Sequence, residues 1–388
     1  MKKKIQIREI TFDLPKFQKT GIAIFIMLLF SLAAVAQNIK GTVKTDAGDV
    51  KIIKVAEGLN HPWGMAFLPD GRLIFTERAG TIRILKDSIV SEPLEGTPEV
   101  FSQGQGGMLD IALHPNFEQN QMVYVTFSEP GPNGTATTAL GRGKLQNDRL
   151  ESFETIFKME PAVEGPNHFG GRIVFTPQND IFLTLAERFK FEPAQDLSSH
   201  LGTVVRLKED GTASEANPTF DNPNALDEIW SYGHRNIESA ALHPETGKLW
   251  VAEFGPLGGD ELQIAEAGNN YGWPVVSWGD NYDGSKIPDP TTRPEFTDAE
   301  IVWTPTISPS GMAFYNGDSF PEWKGSMFIG GLTSSGLVRV QVNNGRAEEV
   351  ERIPLSERIR DVEQGPDGNL WVLTDEDNGL ILKLEPLQ

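Results

Sequence analysis

The sequence contains no cysteine among its 388 residues. This absence excludes disulfide bonds, thiolate nucleophiles, cysteine-ligated zinc, iron–sulfur clusters and haem attached through cysteine. Basic residues are also scarce, since 34 Lys and Arg stand against 54 Asp and Glu, for a formal net charge of −20. A chain this acidic repels a phosphate backbone, so nucleic acid is not an expected partner.

Several familiar enzyme motifs are missing as well. The sequence has no G-x-S-x-G elbow, no P-loop, no G-x-G-x-x-G after a strand and no H-E-x-x-H. Functions that depend on nicotinamide, on ATP or on a simple serine nucleophile therefore lack motif support.

Long hydrophobic runs are limited to one, the fourteen residues from Ile22 to Val35. A bilayer-spanning helix needs about 20 apolar residues, so this run is short for a permanent span. It follows a lysine-rich segment and ends at Ala34-Val35-Ala36, a small-x-small cleavage pattern. These features predict a signal peptide over residues 1–36 and export to the periplasm, with no stable membrane span after cleavage. An uncleaved membrane anchor is the alternative.

What the sequence does contain is a unit repeated six times. Each copy has an apolar strand, a turn built on Pro, Asn, Asp or Gly, and a second apolar strand with alternating character. The copies are Gly64–Glu77, Met108–Phe127, Gly171–Leu185, Ser239–Glu253, Gly311–Gly330 and Ile359–Thr374.

Six such units without a long amphipathic helix predict an all-β fold, a six-bladed β-propeller. The predicted propeller domain covers residues 50–388, and residues 37–49 are a lead-in to it. Residues 50–56 are expected to complete the last blade beside residues 379–385. Successive turns lie 46 to 72 residues apart, which leaves room for functional loops beyond the roughly 40–50 residues of a blade. A pair of β-sandwiches or a β-helix is the alternative architecture.

Among the six histidines, His168 has the most suggestive surroundings, a glycine-rich loop over residues 165–171. Such loops gather at one end of a propeller channel, where a neutral imidazole can act as a general base near pH 7. The alternative is a loop histidine held only by hydrogen bonds. Arg235 and the pair Arg358-x-Arg360 suit a polycarboxylate or phosphate ligand, because guanidinium groups bind such anions bidentately. Local neutralisation of an acidic protein is the other interpretation.

The segment from Glu253 to Glu261 is rich in glycine and ends in two carboxylates. Backbone carbonyl and carboxylate oxygens are the ligands that calcium prefers. A flexible acidic turn accounts for the composition equally well.

Five longer motifs resemble the soluble PQQ-dependent aldose sugar dehydrogenases, the glucose/sorbosone dehydrogenase family. The matching segments are residues 167–172 (NHFGGR), 228–236 (EIWSYGHRN), 258–262 (GGDEL), 270–274 (NYGWP) and 310–315 (SGMAFY). The resemblance covers about residues 50–386 and implies a six-bladed propeller. It also implies an oxidoreductase that oxidises aldose sugars at C1 to lactones, with hydride transfer to the C5 carbonyl of pyrroloquinoline quinone (PQQ).

The resemblance also implies roles for particular residues. His168 would be the general base, and Arg235 would polarise the quinone oxygen. The positions implied for cofactor binding are Gln105, Arg235, Asn236, Tyr282, Thr333, Arg358 and Arg360. The implied calcium ligands are the carbonyls of Gly255 and Pro256 beside PQQ, and Glu261 with Tyr271 at a second, structural Ca2+ site.

The sequence departs from the family pattern at several of these positions. Thr333 stands where the family has a cofactor-binding lysine, Phe254 stands in place of a histidine, and residues 237–239 read Ile-Glu-Ser. Two alternatives therefore stay open. One is a propeller with weakened PQQ chemistry that binds carbohydrate, and the other is a calcium-dependent lactonase with a carboxylate-rich metal centre. The preferred sugar, the electron acceptor, and the choice between monomer and homodimer are not determined by the sequence.

Overall fold

Each of the six repeated units folds into an antiparallel hairpin, as its alternating apolar residues predict. The computed structural model describes residues 39–343 and 345–387, and Gly41–Gln388 form one compact unit. The predicted signal peptide lies outside the described residues. No helix within the described part of the chain is long and apolar enough to cross a membrane.

The strands of the first half are numbered in chain order. They are β1 (Ile39–Thr45), β2 (Gly48–Leu59), β3 (Pro62–Phe67), β4 (Leu73–Glu77), β5 (Thr81–Lys86), β6 (Ile89–Val90), β7 (Met108–Leu113), β8 (Met122–Pro130), β9 (Thr135–Gln146), β10 (Arg149–Lys158), β11 (Val163–Glu164), β12 (Gly170–Phe175) and β13 (Ile181–Leu185). A single-turn helix, α1 (Phe117–Asn120), lies between β7 and β8.

The second half continues the same pattern. Its strands are β14 (Thr203–Leu207), β15 (Ile229–Tyr232), β16 (Ile237–Leu242), β17 (Leu249–Glu253), β18 (Asp260–Ile264), β19 (Ile301–Trp303), β20 (Pro309–Phe314), β21 (Met327–Gly331), β22 (Gly336–Asn343), β23 (Arg346–Pro354), β24 (Ile359–Gln364), β25 (Leu370–Thr374) and β26 (Gly379–Pro386).

These strands form six separate sheets, which are the six blades of the predicted β-propeller. Blades 1 to 5 are built from β3–β6, β7–β11, β12–β15, β16–β19 and β20–β23, and blade 6 has the order β1-β2-β26-β25-β24. The ring is closed by β2, which pairs with β26 from Val50↔Pro386 to Leu59↔Gly379. The predicted pairing of residues 50–56 with residues 379–385 is thus confirmed. Residues 39–45, expected in the lead-in, add a further strand at the outer edge of this sheet.

The hydrophobic core lies between neighbouring blades, because both faces of each sheet are apolar. Trp250 and Ala252 of blade 4, for example, pack in one buried cluster with Met327 and Ile329 of blade 5. Burying a side chain of this size contributes about 1.5–3 kcal/mol. The blades are therefore held by a ring of separate interfaces rather than by one central core.

The innermost strands β3, β7, β12, β16, β20 and β24 contact one another in sequence around a central channel, and β24 contacts β3. They all run in the same direction along the channel. The loops that precede them therefore gather at one end, here named the loop end. The hairpin turns that follow them, which include Pro69 in the first unit and Pro366 in the last, gather at the other end, named the turn end.

One arginine crosses the middle of the channel and links all the blades. Arg172, at the start of β12 in blade 3, is buried, and each of its partners comes from another blade. These partners are the carbonyl of Glu238 (2.7 Å), Asp110 Oδ1 (3.2 Å), Asp361 Oδ1 (2.9 Å), Ser310 Oγ (3.5 Å), the carbonyl of Arg360 (2.9 Å) and the ring of Trp63 (4.1 Å). The guanidinium group separates the loop end of the channel from its turn end.

Candidate active site

His168 is held at the loop end by a fixed backbone and a buried carboxylate. Its φ of 53° is left-handed, and Gly170 follows with φ 62°, where a Cβ atom would lie 2.8 Å from the carbonyl oxygen of Thr184. The glycine therefore allows the tight turn into β12. The backbone N–H of His168 donates to Gln105 Oε1 at 2.6 Å, so two of the predicted site residues are in direct contact.

The imidazole of His168 lies 2.8 Å, through Nδ1, from Glu187 Oε1. An ionised carboxylate can only accept, so Nδ1 carries the proton and Nε2 is left free to accept one. Burial lowers the pKa of His168 from 6.5, and the positive charge of Arg235 lowers it further, although the bond to Glu187 acts in the opposite direction. The imidazole is therefore neutral at pH 7, as a general base requires.

Glu187 is the main site residue for which the sequence predicted no role. It is fully buried, and its second oxygen accepts the backbone N–H groups of Lys190 (2.5 Å) and Phe191 (3.2 Å). The segment that it organises has left-handed φ at Arg188, Phe189 and Phe191. The sequence does place Glu187 two residues after the second strand of the third unit, at the loop end where His168 was expected.

An aromatic border joins His168 to Arg235. Phe189 is 38% exposed and meets the His168 ring edge to face, with 5.1 Å between ring centroids. Tyr282, which is 62% exposed, stacks with Phe189 at 6.4 Å, and its hydroxyl accepts a hydrogen bond from Arg235 Nη2 at 3.2 Å. The predicted base and the predicted polarising arginine are therefore parts of one continuous surface.

Only some of the N–H donors of the Arg235 guanidinium group have hydrogen-bond partners among the described residues. Its Nη1 donates to the carbonyl of Phe254 at 3.1 Å, whereas its buried Nε has no hydrogen-bond partner among the described residues. A buried, unpaired donor on a charged group is costly, so the site is suited to an anionic or carbonyl acceptor. The neighbouring Asn236 accepts from the backbone N–H of Gly170 at 3.2 Å and donates to Glu238 Oε1 at 3.0 Å.

Arg358 and Arg360 converge on the same carboxylate but differ in availability. Arg360 lies between Glu238 Oε2 and Asp375 Oδ2, each at 2.5 Å, and its side chain is 7% exposed. Arg358 lies 3.6 Å from Asp375, and its side chain is 42% exposed. Arg360 is therefore already neutralised by two carboxylates, whereas Arg358 keeps donors that face solvent.

Asp375 connects this cluster to blade 1. Its Oδ1 lies 2.7 Å from Nδ1 of His61. Burial alone would raise the pKa of Asp375, but the charge of Arg360 and the hydrogen bonds from His61 and Arg360 lower it below its usual range. Thr333 directly follows Leu332, whose carbonyl accepts a hydrogen bond from Arg358 Nη1 at 3.4 Å. The exposed hydroxyl of Thr333 donates to the carbonyl of Thr306 (3.0 Å) and to Ser308 Oγ (2.9 Å).

The residues predicted to bind calcium lie in blade 4. The backbone around Gly255 is crowded by carbonyl groups, because a Cβ atom there would lie 2.1 Å from the oxygen of Gly258 and 2.3 Å from that of Gly259. The backbone N–H of Gly255 donates to Asp260 Oδ1 at 2.9 Å, and burial raises the pKa of Asp260 to about 6. Pro256 is buried beside this turn.

Glu261 and Tyr271 are not joined by a hydrogen bond within the part of the chain that the structure describes. Burial raises the pKa of Glu261 well above its usual value, and the nearby charges of Glu253 and Asp298 raise it further. The hydroxyl of Tyr271 donates to the carbonyl of Ile264. Over residues 39–343 and 345–387, no three His, Asp or Glu side chains group closely enough to bind a metal ion.

The chain is similar in sequence to known sugar dehydrogenases. The sequence profile of the Glucose / Sorbosone dehydrogenase family matches residues 59–383. Aldose sugar dehydrogenase YliI of Escherichia coli is 41% identical over 350 residues, which cover 87% of this chain and 93% of that protein.

Two solved structures extend the comparison. The soluble aldose sugar dehydrogenase of Escherichia coli in its apo form superposes with a TM-score of 0.83 at 40% identity, covering 87% of this chain and 100% of that one. The PQQ-bound aldose sugar dehydrogenase of Streptomyces coelicolor gives a TM-score of 0.70 at 29% identity, covering 87% and 98%. The relatives support an oxidoreductase with a sugar substrate, and the chain belongs to the glucose/sorbosone dehydrogenase family.

Proposed function

We propose that this protein is a PQQ-dependent aldose dehydrogenase that oxidises sugars at C1 to lactones, with His168 as the general base. The observation that carries the proposal is the pairing of His168 with Glu187 beside an arginine, Arg235, whose buried Nε has no hydrogen-bond partner among residues 39–343 and 345–387. The PQQ in the Streptomyces coelicolor structure supports the choice of cofactor.

The residues at the loop end fit this cofactor. PQQ is an anionic quinone, and Arg235 and Arg358 offer it unused guanidinium donors. Gln105, Asn236 and Tyr282 surround Arg235 and His168 and would complete the contacts. When bound, PQQ supplies the quinone that accepts the two electrons from C1 of the sugar.

The protein's own contribution is to move one proton and to hold the sugar. Nε2 of His168 accepts the proton of the C1 hydroxyl, and the Glu187 carboxylate stabilises the imidazolium that forms. Phe189 and Tyr282 provide apolar faces against which a sugar ring can pack. Oxidation at C1 removes one proton from the hydroxyl group, which His168 receives, and one hydride from carbon, which carries both electrons.

We propose calcium as the second cofactor, held by the carbonyls of Gly255 and Pro256 and, at a structural site, by Glu261 with Tyr271. A divalent cation would relieve the repulsion that Glu261 experiences from Glu253 and Asp298. We also propose export to the periplasm, directed by residues 1–36. This part of the proposal rests on the signal-peptide pattern alone.

One alternative function rests on a specific observation. Because Arg360 is neutralised by Glu238 and Asp375, and Thr333 carries no charge, this chain has fewer free cations at the loop end than the sequence resemblance implies. It could therefore bind carbohydrate with little PQQ chemistry. The lactonase alternative is disfavoured, because the Arg172 guanidinium occupies the space between Asp110 and Asp361 in the channel.

The test is a titration of the apoprotein with PQQ in the presence of calcium, followed by glucose and an artificial electron acceptor. We expect saturable PQQ binding and glucose-dependent reduction of the acceptor. His168→Ala should abolish turnover while PQQ remains bound, and His243→Ala, a matched change at the turn end, should retain activity.

The outcomes separate the hypotheses. Full activity of His168→Ala would remove His168 from the mechanism. Failure to bind PQQ at high micromolar concentration would favour the carbohydrate-binding alternative, which a titration with glucose alone would then examine.

A further inference from the structure

A second cavity lies at the turn end of the channel, on the far side of Arg172 from His168. Its volume is about 560 Å3, within the range of small-molecule sites. It is lined by the last residues of all six innermost strands and includes none of the residues proposed for catalysis.

Six equivalent positions, one in each innermost strand, form a ring in this lining, and the residue at one of them differs in character from the other five. Each of these residues is the last but one of its innermost strand, so they lie at the same level of the channel. They are Ala66, Ala112, Val174, Ala241, Ala313 and Glu363. Five blades present a small apolar side chain, and the sixth presents a carboxylate. The small residues leave open the space that Glu363 borders.

The carboxylate of Glu363 has no hydrogen bond or ion pair within the described part of the chain, in contrast to its two acidic neighbours. Asp110 and Asp361 both bind Arg172, and they also accept the backbone N–H groups of Ile173 (2.9 Å) and Met65 (3.0 Å). Three carboxylates therefore face one guanidinium. Burial and the negative charges of Asp361 and Asp110 raise the pKa of Glu363 well above its usual value. A cation in the cavity would favour the ionised form of Glu363.

The rest of the lining indicates which kind of cation fits. Phe67, Phe175 and Phe314 border the same cavity, together with the alanine and valine side chains. Aromatic rings and a carboxylate attract ammonium groups, and apolar walls suit their alkyl substituents. A bare metal ion would find only one free carboxylate, since the acidic oxygens of Asp110 and Asp361 are already engaged.

We propose that the turn-end cavity binds a small organic ammonium cation, with Glu363 as its counter-ion. The alkyl part lies against the ring of small residues, and the charged head faces Glu363. This site is independent of the sugar site, because Arg172 and its partners close the channel between them.

The experiment is calorimetric titration of the full chain with n-butylammonium and with tetramethylammonium, at constant ionic strength, with 1-butanol as the neutral probe. We expect saturable binding of the ammonium ions and none of the alcohol. Glu363→Gln should weaken ammonium binding at least tenfold. The matched control Glu348→Gln changes an exposed carboxylate on β23 and should leave binding unchanged.

A second variant narrows the cavity without changing the charge. Ala313→Leu places a larger side chain in the ring and should also weaken ammonium binding. Equal binding of 1-butanol, or ammonium binding that is as tight in Glu363→Gln or in Ala313→Leu as in the unchanged protein, would overturn the proposal. Saturable binding of Na+ or Ca2+ that displaces n-butylammonium would reassign the site to a metal ion.

Discussion

The two ends of the same channel differ in how far they depart from the repeat. At the turn end the six units finish in short hairpins, and only Glu363 interrupts a ring of small apolar residues. At the loop end, two long insertions bring in new side chains. Residues 186–202 carry Glu187 and Phe189, and residues 265–300 carry Tyr282.

This difference shows how a repeated fold can acquire a specific site. The strands must keep their alternation, because each side chain packs against a neighbouring blade. The loops at one end are free of that constraint, so charged and aromatic groups accumulate there. Arg172 closes the channel between the two ends and contributes to stability rather than to chemistry.

The largest effect is expected from Glu187→Gln, which tests whether the loop end is organised for proton transfer. An amide can donate to Nδ1 of His168 and so stabilise the tautomer whose Nε2 carries the proton. We expect kcat/KM to fall by about 10²–10⁴-fold, with PQQ affinity unchanged. Steady-state kinetics and PQQ titration measure the two quantities.

The pH profile provides an independent check. His168 must be neutral to accept a proton, and burial and Arg235 lower its pKa, so activity of the unchanged protein should decline only below about pH 6.5. Glu187 raises the pKa of His168, and its removal should move the residual acid limb to still lower pH. A shift of this acid limb to higher pH would contradict the pairing of His168 with Glu187.

Arg172→Met is the next largest change and should affect stability at both ends. It leaves Asp110 and Asp361 buried without their guanidinium partner, which costs about 3–5 kcal/mol of unfolding free energy. Urea denaturation measures the loss. Adding Asp110→Asn and Asp361→Asn should restore part of the lost unfolding free energy. A loss below about 1 kcal/mol in Arg172→Met would show that Arg172 is not needed to hold the blades together.

Thr333→Lys should increase the difference in charge between the two ends. A lysine at this exposed position adds an ammonium group at the loop end. One charge-assisted contact is worth about 1.5–3 kcal/mol, so PQQ should bind roughly one to two decades more tightly. Thr333→Met is the matched control, because it adds length without charge. Equal affinity of the two variants would place Thr333 outside the cofactor site.

Glu238→Gln is expected to have the smallest effect. It removes one of the two carboxylates that bind Arg360, so Asp375 becomes the one remaining carboxylate of that pair and one side of the guanidinium is released. We expect PQQ affinity to rise by about tenfold or less, because a single contact to Arg360 becomes available. Fluorescence titration with PQQ measures the change. A weaker affinity would show instead that Glu238 is needed to position Asn236.

Much of the fold could be predicted from the sequence because the relevant signals are local. Period-two alternation and Pro- or Gly-containing turns identify all six hairpins, and the pairing of residues 50–56 with residues 379–385 follows from the need to close the ring. His168 and Arg235 could be selected from their motifs. Gln105 and His168 are then found in direct contact in the structure.

The electrostatic roles could not be predicted in the same way. Arg360 was expected to bind a cofactor, yet Glu238, 122 residues away in sequence, neutralises it together with Asp375. Arg172 belongs to the matched segment 167–172, but its role in linking the blades could not be predicted, because its partners come from five other blades and no local pattern identifies them.

The sequence by itself determined the six-fold repeat, the hairpins and the loops that carry polar and aromatic residues, because these depend on neighbours within a few positions. Only the tertiary structure decided which charges are paired, which are buried and which remain available to a ligand. The physical reason is that a charge becomes strongly coupled only when it is desolvated, and desolvation occurs when blades distant in sequence close around the channel.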